Sequence, residues 1–310
     1  MVAIHLSICY STHYKSGGYN MKITNVCGDT SCAAYLIQGT KNILFDAGMA
    51  YSADKMIENI RHELGEEKLD AVLLSHSHYD HVSGVPFLRK AWPEMVVYGS
   101  EYAKHILEKP SAKALMRHLS DSAAVGAGMA AAPDYDEDAL KIDCAAADGE
   151  VLEFGDLAVK VFATPGHTKC CVSYLINDVI FASETIGVTT RGSYMPCYLV
   201  GYEMAVESAK KLMDCGAKRV FMTHRGILDV EEEQIPEFWE SILGNLERTK
   251  NEILEMIQTL PDEEARIDAM VQAYHSDVSE EEQPEEAFRL NAAATLKVIE
   301  REFMNECSAR

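Results

Sequence analysis

The sequence predicts an α/β fold followed by a helical C-terminal segment. Two observations carry the first part: short β-type runs alternate with helix-spaced segments over residues 1–230, and one apolar run ends directly in a cluster of histidines. A third carries the second part: beyond Glu231 the apolar residues recur at helical spacing in an acid-rich background. The expected division is a catalytic domain over 1–230 and an acidic helical extension over 231–310, packing near the mouth of the active site.

Each element follows from its own pattern. MKITNV, CAAYLIQ and NILFDAG are strand-like, joined by turn signals at Gly28-Asp29 and Gly39-Thr40. In ADKMIENIRHELG, Met56, Ile57, Ile60 and Leu64 keep helical spacing and Gly65 is the stop. LDAVLLSH is a buried strand, residues 96–98 are another, and 101–119 read as helix. Residues 121–138, rich in Ala, Gly and Asp, read as a loop or weak helix. EVLEFGDLAVKVFATPGHT and CCVSYLINDVIFASE are two hairpins, the second turning at Asn177-Asp178. A helix over 204–215 then leads into the strand KRVFMTH. In the extension, Trp239, Ile242, Leu243 and Leu246 form one apolar stripe and Phe288, Leu296, Ile299 and Phe303 another, with Pro261 and Pro284 at helix starts.

With 310 residues, 47% hydrophobic and 25% charged, the chain has the composition of a globular protein with a sizeable core. No run approaches the roughly 20 apolar residues of a membrane helix, and the N-terminal stretch lacks a basic region followed by an apolar one. The expected location is cytoplasmic, with no membrane partner. Nine cysteines, an odd count without zinc-finger spacing, point to reduced thiols, and Cys170-Cys171 reads as two small apolar side chains in a strand. The net charge of −21, with 7 basic against 21 acidic residues from Glu231 onward, disfavours nucleic acid as a partner.

The chemistry-bearing segment is Ser75-His76-Ser77-His78-Tyr79-Asp80-His81. Imidazole nitrogens and a carboxylate crowded into six residues at the end of a buried strand suit zinc, iron or manganese, and can serve two adjacent ions. This segment resembles the H-x-H-x-D-H signature of the metallo-β-lactamase superfamily. Four further motifs follow the same pattern: Leu44-Phe45-Asp46-Ala47-Gly48, Thr164-Pro165-Gly166-His167-Thr168, Phe181-Ala182-Ser183-Glu184-Thr185 and Thr223-His224-Arg225-Gly226. The resemblance spans roughly residues 20–228 and implies an αββα sandwich with a C-terminal helical extension.

It also implies a ligand set. His76, His78 and His167 would hold one metal and Asp80, His81 and His224 a second, with Asp46 in support and Asp80 also orienting the nucleophile. The family's bridging aspartate is replaced here by Glu184, which is one methylene longer. Glu184 can bridge, bind one ion only, or weaken the second site. Tyr79 would pack against or cap the site. The implied cofactor is two divalent ions, zinc by default with iron or manganese as alternatives, and the implied reaction is hydrolysis by metal-activated hydroxide.

The layout resembles glyoxalase II and the 2-aminobenzoylacetyl-CoA thioesterases. The expected substrate is therefore a small-molecule, acyl-CoA-like thioester. A lactone or phosphodiester is the alternative, the latter if Arg191, Arg225 or Lys104 gathers beside the metals; a catalytically weak metal-binding regulatory protein is another. Residues 189–202 hold Arg191, Tyr194, Met195 and two further tyrosines, which either line an aromatic pocket or pack on the C-terminal helices. A homodimer is the expected assembly.

Overall fold

The structure is a computed structural model and describes residues 11–16, 19–29, 32, 34–190, 193–224, 226–228, 232–280 and 282–304. Its first sheet has seven strands in sequential spatial order: β1 (Ser11–Ser16), β2 (Tyr19–Asn25), β3 (Tyr35–Gln38), β4 (Asn42–Phe45), β5 (Ala71–Leu73), β6 (Val96–Gly99) and β7 (Cys144–Ala145). β1 to β4 pair antiparallel, and β4 to β7 pair parallel. Next in the chain come β8 (Val151–Phe154), β9 (Leu157–Ala163), β10 (Val172–Ile176) and β11 (Val179–Ala182), a two-stranded ribbon of β12 (Val188–Thr190) and β13 (Ser193–Met195), then β14 (Arg219–Met222) and β15 (Gly226–Leu228). The second sheet runs β15-β14-β11-β10-β9-β8.

The helices are α1 (Ala53–Leu64), α2 (Tyr79–Val82), α3 (Val85–Ala91), α4 (Glu101–Leu107), α5 (Pro110–Gly126), α6 (Tyr202–Met213), α7 (Ile235–Thr259), α8 (Glu263–Tyr274) and α9 (Glu285–Phe303). They cover the outer faces of two sheets packed face to face, giving the αββα sandwich. The alternation along a strand shows how. In NILF of β4, Ile43 and Phe45 point inward to meet Tyr174, Phe181 and Phe221 of the second sheet. Leu44 points outward to Met56 and Ile60 of α1 and Leu88 of α3. With both faces covered, an uninterrupted apolar run is what the strand needs. On the far side, Ile180 and Val220 form one apolar cluster with Trp239, Leu246, Leu296 and Ile299 of α7 and α9.

Three expectations shift. Cys170 and Cys171 are not in a strand: Cys170 ends a turn and Cys171 stands just before β10, although both are buried as small apolar side chains would be. The helix read over 101–119 is broken, because Pro110 disfavours the helical region for the residue before it, and Lys109 sits extended at φ −83°, ψ 122°. α5 then runs on to Gly126, into the stretch read as a loop or weak helix, and buries Ala123 and Ala124. Among the described residues no helix is long and apolar enough to cross a membrane.

Candidate metal centre

The polar residues singled out by the motifs follow the C-terminal ends of strands. His76 and His78 lie just past β5, His78 at the start of α2, which carries Asp80 and His81. His167 lies in the turn after β9, Glu184 opens the single helical turn after β11, and His224 follows β14. Gly166 lets the histidine turn close on α6: its φ is +147°, and a Cβ there would stand 2.7 Å from Ala205 Cα. Beneath the turn, Thr185 Oγ1 donates to the Thr164 carbonyl at 2.6 Å and accepts from the His167 amide at 3.3 Å. The turns carrying His167 and Glu184 are thereby tied together.

Each of three imidazoles is anchored by one nitrogen and presents the other to the centre. His167 Nδ1 donates to the Cys197 carbonyl at 2.8 Å. His81 Nδ1 donates to Asp46 Oδ2 at 2.9 Å. The Ser75 hydroxyl gives its one proton to Asp46 Oδ2 at 2.8 Å, so it accepts from His76 Nδ1 at 3.0 Å. Asp46 also accepts from the Ser75 amide at 2.7 Å. It is fully buried with φ +58°, a left-handed conformation that aspartate tolerates better than most residues. In all three imidazoles the anchored Nδ1–H turns Nε2 inward, where it offers a lone pair whenever the ring is neutral.

Five imidazoles and two carboxylates converge in this way. His76, His78, His167 and Glu184 form one group whose donor atoms lie within 4.8 Å of one another, and His81, His224 and Glu184 form another. Glu184 belongs to both. Its Oε2 stands 2.7 Å from His167 Nε2 and 3.3 Å from His76 Nε2, and its Oε1 stands 2.7 Å from His224 Nε2. Asp80 Oδ2 lies 3.2 Å from His81 Nε2 and 3.5 Å from His224 Nε2.

These donors fit a cation. The buried Nε2 atoms of His76 and His81 make no hydrogen bond although carboxylate oxygens stand beside them. A lone pair facing a carboxylate at such range is repulsive unless a positive charge lies between the two. The imidazoles titrate in two directions, two towards the neutral form and two towards a proton held beside carboxylates. Burial pushes His78 down to about 4, helped by His167, and holds His76 well below its ordinary range. Burial would lower His81 too, but Asp80 and Asp46 outweigh it and lift that imidazole well above its ordinary value. His224 is raised against its burial by Glu184. Burial would raise the Glu184 carboxyl, yet His167 and His224 keep it well below the usual carboxylate range.

A cavity of about 390 Å³ opens onto this centre, and His78, Tyr79, Asp80, His167, Glu184 and His224 line it. Tyr194 is not among its walls. It packs in the apolar cluster under the C-terminal helices, with its ring closing on Gly187, where a Cβ would be 2.3 Å away. Tyr198 turns the same way, its hydroxyl donating to Thr249 Oγ1 at 3.3 Å. Of the 189–202 segment, Met195, Cys197 and Val200 reach the cavity, so the tyrosines serve packing while smaller neighbours face the site. Lys104 donates to the Asp143 carbonyl at 3.2 Å and is not a wall of the cavity. Arg191 and Arg225 lie outside the described residues. Sequence reasoning missed Cys32, whose sulfur lies within 4.8 Å of donor atoms of Asp80 and His224. It also missed the Ser75 and Cys197 anchors; a hydroxyl or carbonyl used in this way leaves no motif.

The sequence profile of the metallo-beta-lactamase superfamily matches residues 27–224, which include every donor named above. The chain belongs to the metallo-β-lactamase superfamily. As a member of this superfamily of metallo-hydrolases, it holds a His/Glu cluster that could bind metal. One relative, the metallo-beta-lactamase fold-containing protein ST1585 of Sulfurisphaera tokodaii, is 26% identical over 202 residues, 63% of this chain and 72% of its own length. The solved structure of ST1585 superposes with a TM-score of 0.53 at 20% identity, over 71% of this chain and 89% of that one, a likeness of fold. Glyoxylase B2 of Dictyostelium discoideum is 30% identical over 142 residues, 46% of this chain and 43% of its own. The atrochrysone carboxyl ACP thioesterase of Aspergillus fumigatus is 21% identical over 233 residues, 74% of this chain. The match spans 60% of that thioesterase and under half of the glyoxylase.

Proposed function

We propose that this metallo-β-lactamase superfamily member is a dinuclear metal-dependent hydrolase of small-molecule thioesters. The observation that carries it is the Glu184 carboxylate, which turns one oxygen to His167 and the other to His224, each at 2.7 Å, on the wall of a cavity. His76, His78 and His167 would hold one cation, Asp80, His81 and His224 the other, and Glu184 both. A divalent pair there supplies a water of lowered pKa and positive charge for a developing oxyanion. The protein's own part is to fix the donors: Asp46 and Ser75 orient His81 and His76, the Cys197 carbonyl orients His167, and Asp80 faces the cavity where it can orient an attacking water. Imidazole and carboxylate donors suit zinc first, and iron or manganese as well.

Thioester is favoured among the possible bonds for two reasons. A thiolate of pKa ~8.5 leaves without an acid catalyst, and one relative is named for thioesterase activity. The phosphodiester reading wants cations beside the centre, but Lys104 is engaged elsewhere and Lys169 is the one Lys or Arg among the described residues lining the cavity. In this reading the enzyme works in the cytoplasm on a small molecule, and a homodimer is its assembly. The test is elemental analysis of purified protein followed by a panel of thioester, lactone and bis(p-nitrophenyl) phosphate substrates. Two metal equivalents and turnover confined to thioesters are expected. One equivalent at full activity removes the bridging role, and preferential turnover of the phosphate ester removes the thioester.

A further inference from the structure

The cavity has two chemically different ends. One is the donor cluster. The other is a slot between α5 and α9, walled by Leu115, Met116 and Leu119 on one side and by Ala287 and Leu290 on the other. Leu115 and Leu290 are each 52% exposed although both line this cavity, so two large apolar side chains stand open to solvent on its opposite walls. The width of the slot is set from outside it. Glu286 at the start of α9 accepts from Ser122 Oγ at 3.0 Å and pairs with His118 Nε2 at 3.2 Å, both on α5. Gly126 at the end of α5 packs so closely on the segment before α9 that a Cβ there would stand 2.8 Å from the Glu280 carbonyl oxygen.

We infer that this slot is an acyl-binding site, which takes an apolar alkyl or aryl acyl group whose carbonyl faces the metal centre. The assignment rests on the hydrolase reading above for its orientation, but the slot's chemistry stands apart from it. Ala112, Leu115, Met116 and Leu119 of α5 and Ala287 and Leu290 of α9 reward burial of hydrocarbon, and Asn291 is the one polar side chain that these two helices add to the lining. Glu282, just before α9, also lines the cavity and repels an anionic tail there, while Lys169, the cavity's one described Lys or Arg, follows His167 by two residues in the chain. The hydrocarbon is therefore directed into the slot between α5 and α9, and the charged or polar leaving group away from it.

The test uses the full, metal-loaded chain with N-acetylcysteamine thioesters from acetyl to octanoyl, together with benzoyl, and calorimetric binding of octanoate as a readout independent of turnover. kcat/KM should rise at least about tenfold from acetyl to octanoyl, mainly through KM, because each buried methylene adds to binding. Leu290→Asp and Ala287→Phe should each pull the octanoyl-to-acetyl ratio towards one and weaken octanoate binding, with Leu115→Ser as a third variant should either of these fail to fold. A flat length profile, or ratios unmoved by these substitutions, overturns the assignment. So does a dimer that Leu290→Asp dissociates in a protein that does not bind octanoate, which makes the leucines a contact between copies. If octanoate binds and Leu290→Asp abolishes it while no thioester is turned over, the slot stands and the hydrolase reading falls.

Discussion

The two halves of the centre are built from the same residue types but treat a proton in opposite ways. Around His76, His78 and His167 the donors are crowded imidazoles, and burial with mutual repulsion drives His76 and His78 towards the neutral form. Around His81 and His224 the neighbours are carboxylates, Asp46, Asp80 and Glu184, and both imidazoles are pulled towards the charged form despite their burial. The first half offers lone pairs ready for a cation. The second is an anionic pocket that a proton can occupy when a metal does not. Glu184 is shared, so it couples a half that repels protons to one that attracts them.

Removing that shared group gives the largest expected effect. If the proposed dinuclear hydrolase reading holds, Glu184→Ala should lower kcat/KM by at least about 10²-fold and reduce the bound metal from the two equivalents of that reading to one or fewer, as read by activity and elemental analysis of the same sample. Two retained equivalents would mean that the halves bind independently. A perturbation that touches the second half directly, and the first only through Ser75, comes next. Asp46→Asn should weaken metal binding in the second half by about 10- to 100-fold, because Asp46 orients the His81 ring and adds negative charge beside it. Asparagine also tolerates φ +58°, so the backbone can persist. Titration with a chelator should then release one equivalent early and the other closer to the wild-type concentration, since Asp46 reaches His76 only through Ser75. Release of both together would contradict the division into halves.

How much of this was legible in the sequence depended on how local the signal was. The strand running into His76 could be read because β5 is buried on both faces and its apolar run stops where the polar donors begin. The hairpin at Asn177-Asp178 was legible because asparagine readily takes the left-handed conformation, here φ +56°. The break before α5 was also written in the chain, at Pro110, and was read through. Other features had no local signal. That Tyr194 packs under α7 and α8 rather than in the cavity depends on helices more than 40 residues away. The slot facing the centre pairs α5 with α9 across some 160 residues, and Cys32 approaches Asp80 only because β3 lies beside β4 and β4 beside β5. Motif spacing identifies donors along the chain; which walls surround them is decided by packing between distant segments.

The smallest expected effect is on stability, and it separates the halves by sign. For His76 and His78 the folded pKa lies below the unfolded value of ~6.5, so the unfolded chain binds more protons between the two. Their contribution is complete above about 6.5 and is lost as pH falls towards the value of about 4 held by His78. For His81 and His224 the folded pKa is the higher one. Their contribution is complete below about 6.5 and is lost as pH rises through the folded value. Metal-free protein should therefore be most stable near pH 6.5 and lose melting temperature on both sides, by at least about 3 °C at pH 5 and again at pH 8.5. Cation loading should abolish the alkaline loss, because the metal replaces the proton between the carboxylates and His81. Thermal melts across that range, with and without chelator, decide it. A metal-free protein that gains stability steadily from pH 5 to 8.5 would show that the second half holds no extra proton, and the contrast between the halves would be lost.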